Sequence, residues 1–224
     1  MTEKIKSNRV SDTHTEKIMQ TNFDAAYHIL GMNFERCDNR ELQLAGIDVI
    51  SKNNNKEYFI DEKCATDFWD RDLKTFAFEL SFKICDSKTG EGKNKRVDGW
   101  FVNPNNKTDI YALGYVRADT KENLNKNKIF HFEVLLIKKK FLIKYINKHI
   151  GDTEKLKELQ KEMAANVKAG ALLPYGEKER YKVELDREIS LCWSPCLAES
   201  PFNLIIDKSL LKKLSFKTVS FNIN

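Results

Sequence analysis

Residues 75–84, TFAFELSFKI, constrain this chain more than any other stretch. Phe76, Phe78, Leu80, Phe82 and Ile84 alternate strictly with Ala77, Glu79, Ser81 and Lys83. A period of two puts the first set on one face of a strand and the second on the other, which no helix can do. The fold must therefore contain a sheet with a buried face. Further strands are expected at 40–50 (RELQLAGIDVI) and 57–64, joined by the asparagine-rich link KNNNK, and in GWFV, DIYALGYV and IFHFEVLLIKK.

Helical periodicity occurs as well. In residues 11–31, Ile18, Met19, Phe23, Ala26, Tyr27 and Leu30 recur at helical spacing; Asp12 or Thr13 can cap the start and Gly31 ends the run. KKFLIKYINKHI, residues 152–169 and DKSLLKKL are expected to be helical too, the second with Leu156, Leu159 and Met163 on its apolar side. Residues 86–98, with two glycines and four basic residues, are expected to form a loop whose basic side chains could meet phosphates. The mixture predicts an α/β fold. With 224 residues, 41% of them hydrophobic, the chain can bury a sizeable core. The expected organisation is a core over 1–150 and a mixed, partly helical extension over 151–224 packed on the same domain.

The charge balance of +5 suits a polyanionic partner. No apolar run approaches the roughly 20 residues of a membrane span. Five cysteines at irregular spacing and a polar N-terminus predict free thiols in a reducing, cytoplasmic setting. CWSPC has no second Cys/His pair at finger-like distance, so Cys192 and Cys196 read as buried thiols.

One segment conflicts with this economy. EYFIDEKCA begins as an apolar strand and then carries Asp61, Glu62 and Lys63 into what should be interior. Alternation turns Asp61 and Lys63 to one face and Glu62 to the other. If 40–50 and 57–64 form a hairpin, Asp48 of AGIDVI lies across the ladder from Asp61, and Gly46 leaves room for close approach. Two adjoining carboxylates repel, and a divalent cation would neutralise them. All-oxygen ligation with positions left for water suits Mg²⁺ or Mn²⁺ rather than zinc. Lys63 could then hold the attacking water or neutralise charge on a phosphate. Glu16, on the face of the first helix shared by Met19 and Phe23, could complete the pocket.

Asp48 in GID followed by Asp61-Glu62-Lys63, after a glutamate-bearing helix and in the order helix, strand, strand, strand, resembles the PD-(D/E)xK nuclease superfamily. The resemblance covers residues 11–150. Ile47 stands where that motif has proline, and only Asp61 gives the acid–any–lysine spacing. The resemblance implies a restriction-endonuclease-like mixed sheet flanked by helices. It also implies a deoxyribonuclease with Asp48 and Asp61 as Mg²⁺ ligands and Lys63 as the catalytic lysine. Glu16 and Glu79 are further candidates, the latter as a third-strand residue. DNA is the implied partner, and a homodimer the implied means of cutting both strands. The alternative is a nucleic-acid-binding or assembly module whose acidic site is vestigial.

Overall fold

The computed structural model describes residues 9–85, 92–176 and 179–223, and of these the backbone alone at 9–17, 85 and 92–94. In chain order the elements are α1 (Arg9–Ile29), β1 (Asn33–Arg36), α2 (Arg40–Leu44), β2 (Val49–Asn53), β3 (Lys56–Cys64), β4 (Thr75–Cys85), β5 (Gly92–Asp98), β6 (Ile110–Arg117), α3 (Lys121–Asn125), β7 (His131–Lys138), α4 (Lys139–His149), α5 (Thr153–Lys168), β8 (Tyr181–Asp186), β9 (Ile189–Trp193), β10 (Phe202–Asp207), α6 (Lys208–Leu214) and β11 (Lys217–Asn222). The protein is mixed α/β with two sheets, in two compact units. One unit comprises Arg9–Phe76, Asn105–Ile143 and Lys208–Asn224; the other is drawn from Ala77–Pro104 and Lys144–Asp207. The chain thus divides by interleaved segments rather than at a single boundary near 150. The C-terminal strand β11 reaches the first unit by pairing with β7.

The first unit is built on a sheet in the order β1-β2-β3-β6-β7-β11. β3 and β6 run parallel, and the other neighbours antiparallel. α1 covers one face. Its Met19, Phe23, Ala26 and Tyr27 are buried against Val49, Ile60, Ala112, Val134 and Leu136. These are the positions the helical and strand periods bring inward, and burial of the larger ones, such as Met19, Phe23 and Ile60, contributes about 1.5–3 kcal/mol each. β2 and β3 close as a hairpin. Asn54 and Asn55 both take positive φ, 47° and 62°, as a two-residue turn matched to strand twist requires. Gly31 after α1 also has positive φ.

Three local expectations differ from the structure. Residues 40–44 form the short helix α2 and not the start of a strand. The Asn39 side chain caps it by accepting from the backbone of Glu41 and Leu42, and none of its residues is buried. The strand begins only at Val49. GWFV is a turn: the amides of Gly99 and Phe101 donate to the Leu80 and Glu79 carbonyls. A Cβ at Gly99 would lie 2.4 Å from the Glu79 carbonyl oxygen, so glycine permits this close approach. Residues 92–98 are strand β5 rather than loop, and Arg96 donates to the carbonyls of Ser81 and Ser200 instead of projecting freely. Residues 86–91, including Lys88, lie outside the described residues.

The second unit holds a sheet in the order β5-β4-β10-β9-β8. Leu156 and Met163 of α5 are buried, Leu159 is half-buried, and buried Gln160 accepts from the Ser81 hydroxyl at 2.5 Å. Among the described residues no helix is long and apolar enough to cross a membrane.

Candidate active site

The site lies on the face of the first unit's sheet opposite α1. Val49 pairs with Ile60, so the residue before β2, Asp48, lies across from Asp61. One backbone bond and one side-chain bond tie Asp48 to β3. The Asp48 amide donates to the Ile60 carbonyl at 2.9 Å, and the Glu62 amide donates to Asp48 Oδ2 at 2.8 Å. Asp48 is therefore fixed by the strand that carries its partner. Lys63 Nζ donates to Asp61 Oδ1 at 2.5 Å. Asp61 is 1% exposed, whereas the Lys63 side chain is 32% exposed and reaches the open side.

The electrostatics of Asp61 are unusual. Its other oxygen, Oδ2, is buried and accepts no hydrogen bond from the described residues. Burial raises its pKa most, Lys63 opposes that, and Asp48 raises it further, to about 6. A shared proton or a cation between the two carboxylates would satisfy what the protein's own donors do not.

Glu62 points to the opposite face. It accepts from Tyr27 Oη at 2.9 Å and pairs with Arg36 at 3.1 Å, while Arg36 also pairs with Asp24 at 2.8 Å. Burial outweighs the guanidinium and raises the Glu62 pKa to about 7. Burial, then Glu62, holds the Tyr27 pKa well above its ordinary value, so its hydroxyl stays a donor. The two acids of the triplet thus have separate surroundings, and only Asp61 faces Asp48.

Of the other candidates, Glu16 lies on α1 but its side chain is outside the described residues. Glu79 is half-buried on β4, in the other sheet and the other unit, within electrostatic reach of Arg96. The sheet that gathers Asp48, Asp61 and Lys63 does not include it.

No family model, curated protein or solved structure matches the chain. What the site can do therefore rests on its own geometry.

Three contributors had escaped the sequence. Tyr111 of β6 is fully buried and lies beside Asp61 in the parallel register; burial, then Asp61, raises its pKa. Lys139, at the start of α4, is attracted by Asp61 and Asp109, although burial lowers its pKa more. Asn106 accepts from Lys139 Nζ through its backbone and side-chain oxygens, both at 3.1 Å. The run KKK after an apolar strand was visible, but which lysine turns inward depends on where β7 ends.

Gly46 holds this corner together. Its φ is +76°, the Thr108 hydroxyl donates to its carbonyl at 2.8 Å, and a Cβ there would stand 2.5 Å from Asn106 Nδ2. Gly46→Ala should destabilise the protein by about 1–3 kcal/mol through backbone strain and displacement of Asn106. Urea unfolding checks this, with an unchanged midpoint as the contrary result.

As a cation site the donor set is sparse. Among the described residues no group of three or more His, Cys, Asp and Glu side chains could hold a metal ion. Two adjoining carboxylates, one with an oxygen lacking a donor, still fit Mg²⁺, which binds through one or two carboxylates and completes its shell with water and substrate phosphate.

Proposed function

We propose that Asp48, Asp61 and Lys63 form the site of a metal-dependent deoxyribonuclease of restriction-endonuclease-like type, hydrolysing phosphodiester bonds. The observation that carries this reading is the buried Asp61 carboxylate. It faces Asp48 on one side, takes an ammonium on the other, and keeps one oxygen without a donor. The order α1, β1, α2, β2, β3, with Asp48 just before the second strand and Asp61 on the third strand of a mixed sheet, supports the fold assignment.

Asp48 and Asp61 would hold Mg²⁺ or Mn²⁺. Once bound, the cation supplies charge neutralisation at the phosphate and a more acidic water. Asp48 enters already oriented by the Glu62 amide, so little reorganisation is needed. Lys63 keeps Asp61 ionised and, from its partly exposed position, can hold the attacking water or offset charge on the phosphate oxygens. Tyr111 closes the buried side and limits water there.

The test is nicking of plasmid DNA with Mg²⁺ by the wild-type chain and by Asp61→Asn and Lys63→Met, with Mn²⁺ titration calorimetry on each. Metal-dependent cleavage lost in both variants, and Mn²⁺ binding lost in the first, is expected. Cleavage retained by both variants would falsify the assignment. Wild-type protein that binds DNA without cutting it or binding Mn²⁺ would instead identify a binding module with a vestigial site.

A further inference from the structure

At the edge of the same unit a cleft of about 390 Å³ is lined by Tyr58, Thr108 and Asp109 and by three consecutive lysines, Lys138, Lys139 and Lys140. Two other lysines of the unit, Lys208 and Lys212, each hold Glu133 at 2.6 Å. Among the described residues none of the three cleft lysines forms an ion pair with a carboxylate. Among the described residues Asp109 is the one acid lining the cleft, and its Oδ2 accepts from the Phe59 amide at 3.0 Å. α4 begins at Lys139 with no acidic residue in its first turn, so its N-terminal field adds to the positive charge. Lys139 is within electrostatic reach of Asp61, so the cleft and the carboxylate site share one field.

Two exposed rings flank the lysines. Phe141 is 46% and Phe216 42% exposed. Lys138 Nζ lies 5.7 Å and 5.4 Å from their ring centroids, and Lys140 Nζ lies 5.3 Å from that of Phe141. Apolar rings at the surface beside cations uncommitted to carboxylates suit a ligand that alternates charge with flat apolar faces. A nucleic-acid strand alternates in that way: its phosphates meet ammonium groups and its bases stack on rings. In a duplex the base faces are covered by their neighbours, so the rings have nothing to receive.

We propose that this cleft and its two phenylalanines bind the unpaired strand of a nucleic acid and direct it to the Asp48–Asp61 site. The single-strand preference deepens the nuclease reading and rests on it for the cleavage step alone. Phosphate contacts fall to Lys138 and Lys140, and stacking to Phe141 and Phe216. Lys139, held by Asn106, lines the cleft and is within electrostatic reach of Asp61.

The experiment measures binding alone, in EDTA, by fluorescence anisotropy of a labelled oligothymidylate of about 12 nucleotides, within the usual single-strand site size. The same label on a duplex is the comparison. The single strand is expected to bind about tenfold more tightly. Phe141→Ala/Phe216→Ala should weaken single-strand binding about tenfold or more without changing its salt dependence. Lys138→Ala/Lys140→Ala should weaken it and flatten the slope of log K against log salt by about 1.4, two phosphate contacts at ~0.7 each. Duplex bound as tightly as single strand, or a phenylalanine pair whose loss changes nothing, overturns the proposal. So does displacement of the oligonucleotide by polyglutamate at equal charge, which would mark an acidic protein partner. Intact single-strand binding by a protein that never cuts would sink the nuclease reading and leave this one standing.

Discussion

Asp61→Asn is expected to melt at a higher temperature than the wild-type chain at pH 8 in EDTA, while losing Mg²⁺-dependent cleavage on the order of a thousandfold. Both results follow from one buried carboxylate. The Asp61 pKa is raised from 3.8 to about 6, by burial first and by Asp48 in addition, against the pull of Lys63. Between those values the folded protein keeps a proton that the unfolded chain has released. The stabilising contribution is therefore fully present below pH 4 and is lost as pH rises through about 6. Above that, folding confines a charge beside a second carboxylate. Asparagine carries no charge at any pH, so the variant escapes the loss. About two pK units correspond to roughly 3 kcal/mol, or a rise of about 6–12 °C for a chain of this size. Glu62 titrates in both proteins, so its contribution cancels in the comparison. The difference should vanish near pH 4, and Mg²⁺ should raise the wild-type midpoint at pH 8 but not the variant's. Scanning calorimetry at the two pH values decides. A variant that is less stable at pH 8 would mean that Asp61 is an ordinary partner of Lys63, with no repulsion left for a cation to relieve.

The second large effect is expected on the other side of β3. Arg36→Met removes the guanidinium that Glu62 meets at 3.1 Å and Asp24 at 2.8 Å, and leaves a buried carboxylate with the Tyr27 hydroxyl. Breaking a buried pair from one side costs about 3–5 kcal/mol, because the remaining charge is uncompensated. The sign of the pH dependence follows from Glu62. Its pKa is already raised to about 7 despite Arg36, and without Arg36 it moves higher. The variant should therefore be least stable at pH 8 and recover towards pH 6, where Glu62 takes a proton. Arg36→Met/Glu62→Gln should regain most of the loss at pH 8. Equal destabilisation at pH 6 and pH 8, or no recovery in the double variant, would mean that Arg36 acts by packing its stem. Cleavage should fall with Arg36→Met as well, since the Glu62 amide holds Asp48.

Legibility along the chain followed the range of the forces involved. The face of α1 that carries Met19, Phe23, Ala26 and Tyr27 was readable because helical spacing is local. So was the hairpin of β2 and β3, because two asparagines can take positive φ. The opposition of Asp48 and Asp61 followed from that hairpin and needed no distant contact. Where the reading went astray, a local preference was overridden. The apolar residues of RELQL suited a strand, but the Asn39 cap and the turn at Gly46 made a helix of them. Trp, Phe and Val in GWFV suited a strand, but Gly99 folds against β4 and the chain turns.

The sequence by itself determined the alternation that turns Asp61 and Lys63 to one face and Glu62 to the other. Chirality and strand geometry impose that on any such triplet. Tertiary structure alone decided what else each acid meets: Arg36 and Tyr27 for Glu62, and Tyr111 and the field of Lys139 for Asp61. It also decided that Glu79 belongs to another sheet. The reason is that a parallel neighbour such as β6 arrives through a long excursion of chain, so its register with β3 is set by packing and leaves no mark in the spacing of residues.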